Sequence, residues 1–192
     1  MQTLVVATSN PGKVAEMETY LKDLPVSLVL KPKHIDIEET GATYMENARL
    51  KASQVAKALG QWAIADDSGL GVDALDGAPG LYSARYAPTA QACIERLLQE
   101  LKGQKDRSAQ FYCAIAIADP RGAIALDAEG VCHGQILEAP QGAEGFGYDP
   151  VFYVPTASLT FAEMPATLKD EISHRGRAFQ ALMPALTTLI NG

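Results

Sequence analysis

The stretch TLVVATSNPGKVAEMETYL, residues Thr3 to Leu21, decides the class of fold. Its opening, Thr3 to Thr8, is a β-rich apolar run that reads as a buried strand. Asn10 followed by Pro11 is a helix N-cap with proline at the first helical position. Val14, Met17, Leu21 and Leu24 then recur along one face of a helix. Val26 to Leu30 returns to strand character. Strand, helix and strand in that order make a βαβ unit with a parallel pair.

The rest of the chain extends this start. An acidic loop containing HIDIEETG fills Lys31 to Gly41. A second helix begins at Thr43, where Thr43 and Glu46 form a capping box, and stops at Gly60. Its apolar face is Ala48, Ala52, Val55, Ala56 and Leu59. Trp62 to Ala65 is a short strand that delivers Asp66 and Asp67 at its end. Thr89 to Lys102 is a helix, apolar at Cys93, Ile94, Leu97 and Leu101. Three strands are predicted next, at Gln110 to Ala118, Ala123 to Ala128 and Val131 to Leu137. Asp119-Pro120-Arg121-Gly122 is the hairpin turn between the first two. The chain is helical from about Ser173, with Pro184 kinking that helix or cutting it short. The expected fold is therefore α/β, a mixed sheet with parallel and antiparallel parts. One domain over 1–192, with two lobes and a central cleft, follows from that order.

Composition narrows the function classes. The 192 residues carry 16 Lys+Arg against 23 Asp+Glu, a net charge of −7, so a phosphate-bearing ligand needs a local cationic pocket or a metal. The same balance, without a basic stripe, argues against a nucleic-acid partner. No run approaches the length of a membrane span, and MQTLVVATSN lacks the basic start of a secretory leader. The three cysteines, Cys93, Cys113 and Cys132, fall into no metal or redox spacing. A cytoplasmic protein with reduced, buried thiols is expected.

Four stretches carry chemistry. TSNPGK, Thr8 to Lys13, lies at a strand-to-helix turn, where backbone N–H groups favour an anion. A plain capped helix is the other reading. Lys13 opposes the helix dipole unless an anion sits beside it. A P-loop is excluded, because its first glycine is missing and Val14 replaces Ser/Thr. ADDSGLGVDALDGAPGLYSARYA, Ala65 to Ala87, sets two acids before a constrained glycine loop. The dinucleotide pattern at Gly69, Gly71 and Ala74 is rejected, since two carboxylates before it repel a pyrophosphate. They suit Mg²⁺ with substrate phosphates, joined by Glu38 or Glu39, or else form a solvated turn. EGFGYDPVF, Glu144 to Phe152, is a tight turn or a place where Phe146 or Tyr148 stacks on a base. KDEISHRG gathers Lys169, His174 and Arg175; Lys51 is a further cation, or an ordinary surface lysine.

Together these stretches, with Glu38-Glu39-Thr40-Gly41, ENARLKA and SHRGRAF, resemble the inosine triphosphate pyrophosphatase family along nearly the whole chain. The resemblance implies Mg²⁺-dependent hydrolysis of ITP, dITP and XTP to the monophosphate and pyrophosphate, by a homodimer. Carried onto this sequence, Thr8, Ser9, Asn10, Pro11, Gly12 and Lys13 hold the triphosphate, assisted by Lys51. Asp67 is the catalytic acid/base and a metal ligand, and Ser68 touches substrate. Glu38 is the second metal ligand, with Glu39 adjacent and not separable by pattern. Phe146, Gly147, Tyr148, Asp149, Lys169, His174 and Arg175 surround the base and sugar. Two positions depart from the family: Ser9 replaces a glycine, and MPATL before Lys169 lacks an acidic pair. A pyrophosphatase for other modified nucleotides, and a catalytically idle nucleotide sensor, are the rival readings.

Overall fold

The structure, a computed structural model, describes residues 2–191. Seven strands form one sheet in the order β2-β1-β3-β4-β5-β6-β7. β1 (Gln2–Val6) pairs in parallel with both β2 (Val26–Leu30) and β3 (Ala63–Val72). β4 is Ser108–Ala118 and β5 is Ile124–Ile136. β6 (Phe152–Val154) pairs antiparallel with β5 and with β7 (Leu159–Thr160). The mixed α/β sheet of the sequence reading is present.

The helix caps form as their residues dictate. Asn10 Oδ1 accepts from the N–H groups of Gly12 and Lys13, at 2.9 and 3.4 Å, and opens α1 (Pro11–Leu21). Thr43 Oγ1 accepts from Glu46 N and opens α2 (Tyr44–Leu59), which Gly60 closes in the left-handed conformation. The capping box is displaced by one residue, because Glu46 Oε2 accepts from Ala42 N rather than from Thr43. Thr89 caps α3 (Ala90–Glu100), whose Cys93, Ile94 and Leu97 are buried, with Leu101 just beyond its end.

Four expectations are corrected. The strand at Trp62 to Ala65 does not stop before the acids; β3 runs on to Val72, so Asp66 and Asp67 lie in mid-strand. Asp, Ser and Gly are poor strand formers, and sheet pairing overrides that preference. The two strands predicted around Glu129-Gly130 are the single β5. A short helix, α4 (Ala166–Ile172), precedes α5 (His174–Asn191). Pro184 does not end α5: it lies on the exposed side, while Phe179, Leu182 and Leu186 on the other side remain buried.

The chain divides into two compact units. The first comprises 1–67, 113–130 and 175–192. Its apolar clusters include Leu4, Val6, Met17, Ile64, Ile115 and Phe179 on one hand, and Ala48, Ala52, Val55, Ala63 and Ala116 on the other. The small residues of α2 let the helix lie close on the strands. The second unit, 68–112 and 131–174, is built on Leu70, Leu97, Phe111, Phe152 and Phe161.

Candidate active site

Successive side chains of a strand point to opposite faces, and this settles how one chain tolerates two adjacent acids. Asp66 faces Lys13 and Arg175; Asp67 faces α2. Asp66 has a fully buried side chain. Its Oδ2 lies 3.0 Å from Lys13 Nζ and 3.0 Å from Arg175 Nη2, with Arg175 Nε at 3.3 Å. Arg175 Nη1 donates to Glu16. Burial alone would raise the Asp66 pKa, but Lys13, Arg175 and Lys51 outweigh it and hold the carboxyl far below its usual range. Asp66 Oδ1 is buried with no hydrogen-bond partner among the described residues.

On the α2 side, Lys51 Nζ reaches Asp67 Oδ1 at 2.7 Å and Glu39 Oε1 at 2.9 Å. Burial lowers the Lys51 pKa, yet the charges of Asp67, Asp66 and Glu39 prevail and leave it above the ordinary lysine value. One helical turn earlier, the buried Asn47 donates from Nδ2 to Asp67 Oδ2 at 3.3 Å. Asn47 Oδ1 accepts from Gly41 N at 2.8 Å, which fixes which way its amide faces. A Cβ at Gly41 would lie 2.7 Å from that oxygen, so this approach requires glycine. Both oxygens of Asp67 are thus held from one face of α2. Asn47 was missed in the sequence; its spacing of four residues from Lys51 is the signal that finds it.

The acidic loop delivers Glu39, whose carboxylate sits on Lys51. At Glu38 it is the backbone that is fixed: its N–H donates to Gln54 Oε1 and its carbonyl accepts from Gln54 Nε2. In TSNPGK, the Asn10 cap takes the N–H groups of Gly12 and Lys13, and Thr8 Oγ1 accepts from Asn10 N. Ser9, Asn10 and Pro11 are exposed. Among the described residues, no three His, Cys, Asp or Glu side chains gather as a metal cage.

In the second unit a glycine-rich turn presents Asp149. Its Oδ2 accepts from Phe146 N at 2.9 Å and from Lys169 Nζ at 2.7 Å. Gly145, at φ +76°, passes so close that a Cβ would lie 2.1 Å from that oxygen. The Lys169 ammonium lies 5.3 Å from the ring centre of the half-buried Phe146. His174 stacks on Phe111, with ring centres 4.6 Å apart, and is buried. Tyr148 is buried and its hydroxyl donates to Ser83 O, so its ring belongs to the core. Gly147 turns the chain at φ +62°. Ser68 follows Asp67 in β3, half-buried. The guanidinium of Arg175, expected near the base, is engaged by Asp66 and Glu16 in the first unit.

One strand thus carries an acid on each face, each paired with its own lysine, and the first helix opens on a capped Asn-Pro-Gly-Lys turn. A model of the Ham1 family matches residues 4–185. The chain belongs to the Ham1 family. It is 59% identical over 98% of its length, and 96% of the relative's, to a Nostoc protein named dITP/XTP pyrophosphatase. A Synechocystis protein of the same name is 60% identical over 95% of this chain and 94% of that one. Among solved structures, a HAM1 protein from Coxiella burnetii superposes with a TM-score of 0.87 at 42% identity, covering 100% of this chain and 99% of that one. The Staphylococcus aureus Ham1 protein gives 0.84 at 40% identity, with coverage of 100% and 99%. No helix among the described residues is long and apolar enough to cross a membrane.

Proposed function

We propose that this chain is a nucleoside triphosphate pyrophosphatase that hydrolyses dITP, XTP and ITP to the monophosphate and pyrophosphate, clearing non-standard purines from the nucleotide pool. The observation that carries this is the Asp67 carboxylate, gripped at one oxygen by Lys51 and at the other by Asn47. A carboxylate fixed in plane keeps further lone pairs for a water proton. The names of the relatives supply the substrate class. We read 1–192 as a single pyrophosphatase domain acting as a cytoplasmic homodimer.

Asp67 orients a water toward the α-phosphorus and accepts its proton as pyrophosphate leaves. General-base assistance of this kind is worth about 10²–10⁴ in rate. Lys13 and Lys51 meet the charge on the phosphates, and Thr8 to Gly12 line the triphosphate end. The oxygen-only donors of Asp67 and Glu39, two carboxylates already drawn to one cation, suit a hard divalent ion such as Mg²⁺. The second carboxylate comes from the adjacent Glu38 or Glu39: Glu39 shares Lys51 with Asp67, and Gln54 holds only the backbone of Glu38. When bound, Mg²⁺ supplies charge neutralisation at the phosphate oxygens.

Phe146, Gly147, Asp149, Lys169 and His174 are assigned to the base and sugar, with Phe146 supplying an aromatic ring beside Lys169. The Lys169 ammonium, held by Asp149 beside the Phe146 ring, favours a 6-oxo purine and repels the 6-amino group of adenine. Ser68 is assigned to a substrate contact beside Asp67.

The test is product analysis with ITP, XTP, GTP and ATP, with and without Mg²⁺, for wild type and Asp67→Asn. Pyrophosphate from ITP and XTP, dependent on Mg²⁺ and lost in the variant, is expected. Release of single phosphate would move attack to the γ-phosphorus and overturn the mechanism. Binding of ITP without turnover would make the chain a sensor.

A further inference from the structure

Lys13 and Glu16 stand three residues apart on α1, and each has a buried partner on another element. Lys13 meets Asp66 on β3, and Glu16 meets Arg175 on α5. Arg175 and Asp66 join the two pairs, giving the alternating series Glu16–Arg175–Asp66–Lys13. The side chains at its ends are 17% and 15% exposed, and those in the middle 2% and 0%. We propose that Glu16 is a positioning residue for Lys13, acting through Arg175 and Asp66. The inference rests on the reading that Lys13 serves the triphosphate.

Asp66 Oδ2 is a crowded oxygen. Lys13 Nζ, Arg175 Nη2 and Arg175 Nε all approach Asp66 Oδ2, while Oδ1 is buried and accepts nothing among the described residues. A carboxylate oxygen has about two lone pairs, so lysine and arginine compete for it. Glu16 draws the Nη1 edge of the guanidinium toward α1 and divides its charge between two carboxylates. That division leaves Asp66 able to hold a second cation. Without a charge at Glu16, two cations share one buried anion, and the bidentate approach through the open Oδ1 favours arginine. Lys13 is the partner with access to water, so it is the one displaced. Its ammonium then no longer stands at a fixed point for the leaving pyrophosphate.

The experiment is a double-mutant cycle on the full chain with Glu16→Gln, Lys13→Met and the pair together. It is read as kcat and KM for ITP, calorimetric affinity for inorganic pyrophosphate, and thermal melting. Glu16→Gln should lower kcat roughly tenfold with a smaller change in KM, and weaken pyrophosphate binding in parallel. In the Lys13→Met background the same change should cost nothing further. Glu16→Asp should restore most of the loss, and the uncharged Glu16→Met takes the place of Glu16→Gln in the cycle if that variant does not fold. Equal losses with and without Lys13, or undiminished kcat and pyrophosphate affinity in folded Glu16→Gln, overturn the proposal. Absence of pyrophosphate release by the wild type would instead overturn the proposed function, and the pyrophosphate affinities would still read the coupling.

Discussion

Asp66→Asn should be the most destabilising single-atom change in the first unit, although the neighbouring Asp67→Asn is chemically the same. The Asp66 side chain is fully buried, and its Oδ2 lies within 3.3 Å of nitrogens from both Lys13 and Arg175. Removing one partner of a buried ion pair costs about 3–5 kcal/mol, because the cations left behind remain poorly solvated. The asparagine fits without a cavity, so the loss isolates charge from packing. For a chain of this size each kcal/mol moves Tm by about 2–4 °C, which gives a drop of roughly 6–20 °C. The pH dependence has a definite sign. The folded-state pKa of Asp66 is held below its unfolded value, so its contribution is fully present above pH ~4 and is lost progressively as pH falls below that. Calorimetric melts of wild type and variant should therefore converge on acidification. A variant melting within about 2 °C of wild type at neutral pH, or a gap that persists undiminished at pH ~3, would refute the buried-pair argument.

Asn47→Leu removes the grip on Asp67 Oδ2 and leaves Gly41 N without its acceptor; kcat should fall about tenfold with KM little changed, and stability by about 1–3 kcal/mol, measured by steady-state kinetics and urea unfolding. Lys169→Met strips the cation from the buried Asp149 and should raise KM for ITP while lowering Tm, both read on the same preparation. All three cysteines are buried thiols outside any disulfide, and burial pushes the Cys113 thiol up to about 12. A thiol-reactive chromogenic reagent should therefore label none rapidly in the native protein and all of them in guanidinium.

Local chemistry made much of this legible beforehand. Asn10 and Thr43 are caps in the sequence and caps in the structure, since a cap needs only its own next few residues. The βαβ start, the apolar face of α3 and the Asp119 hairpin were readable for the same reason. What failed to show depended on distant partners. The strand through Asp66 to Gly71 is imposed by its neighbours in the sheet against its own preferences, and β5 crosses Glu129-Gly130 likewise. Tail residues Leu186, Leu189 and Ile190 pack in the core beyond Pro184 and carry α5 past it. At the site, the acids and lysines were evident, but their pairing was not. Nothing in adjacent Asp66 and Asp67 says that one meets Lys13 and the other Lys51 until strand geometry separates them.

The two acids of β3 also act as a key for its alignment. Hydrophobic alternation normally fixes how a strand is set against its neighbours, because a slip of one residue exchanges inside for outside. β3 has no such alternation: residues on both sides of the acids are buried on either face. Its apolar residues would accept a shifted frame at small cost. The carboxylates would not, since a slip of one in one direction sets Ala65 against Arg175 and in the other sets Ser68 against Lys51, so that either way a buried cation is left with one anion fewer. Insertion or deletion of a single residue between Trp62 and Asp66 should therefore be rejected by charge before it is rejected by shape.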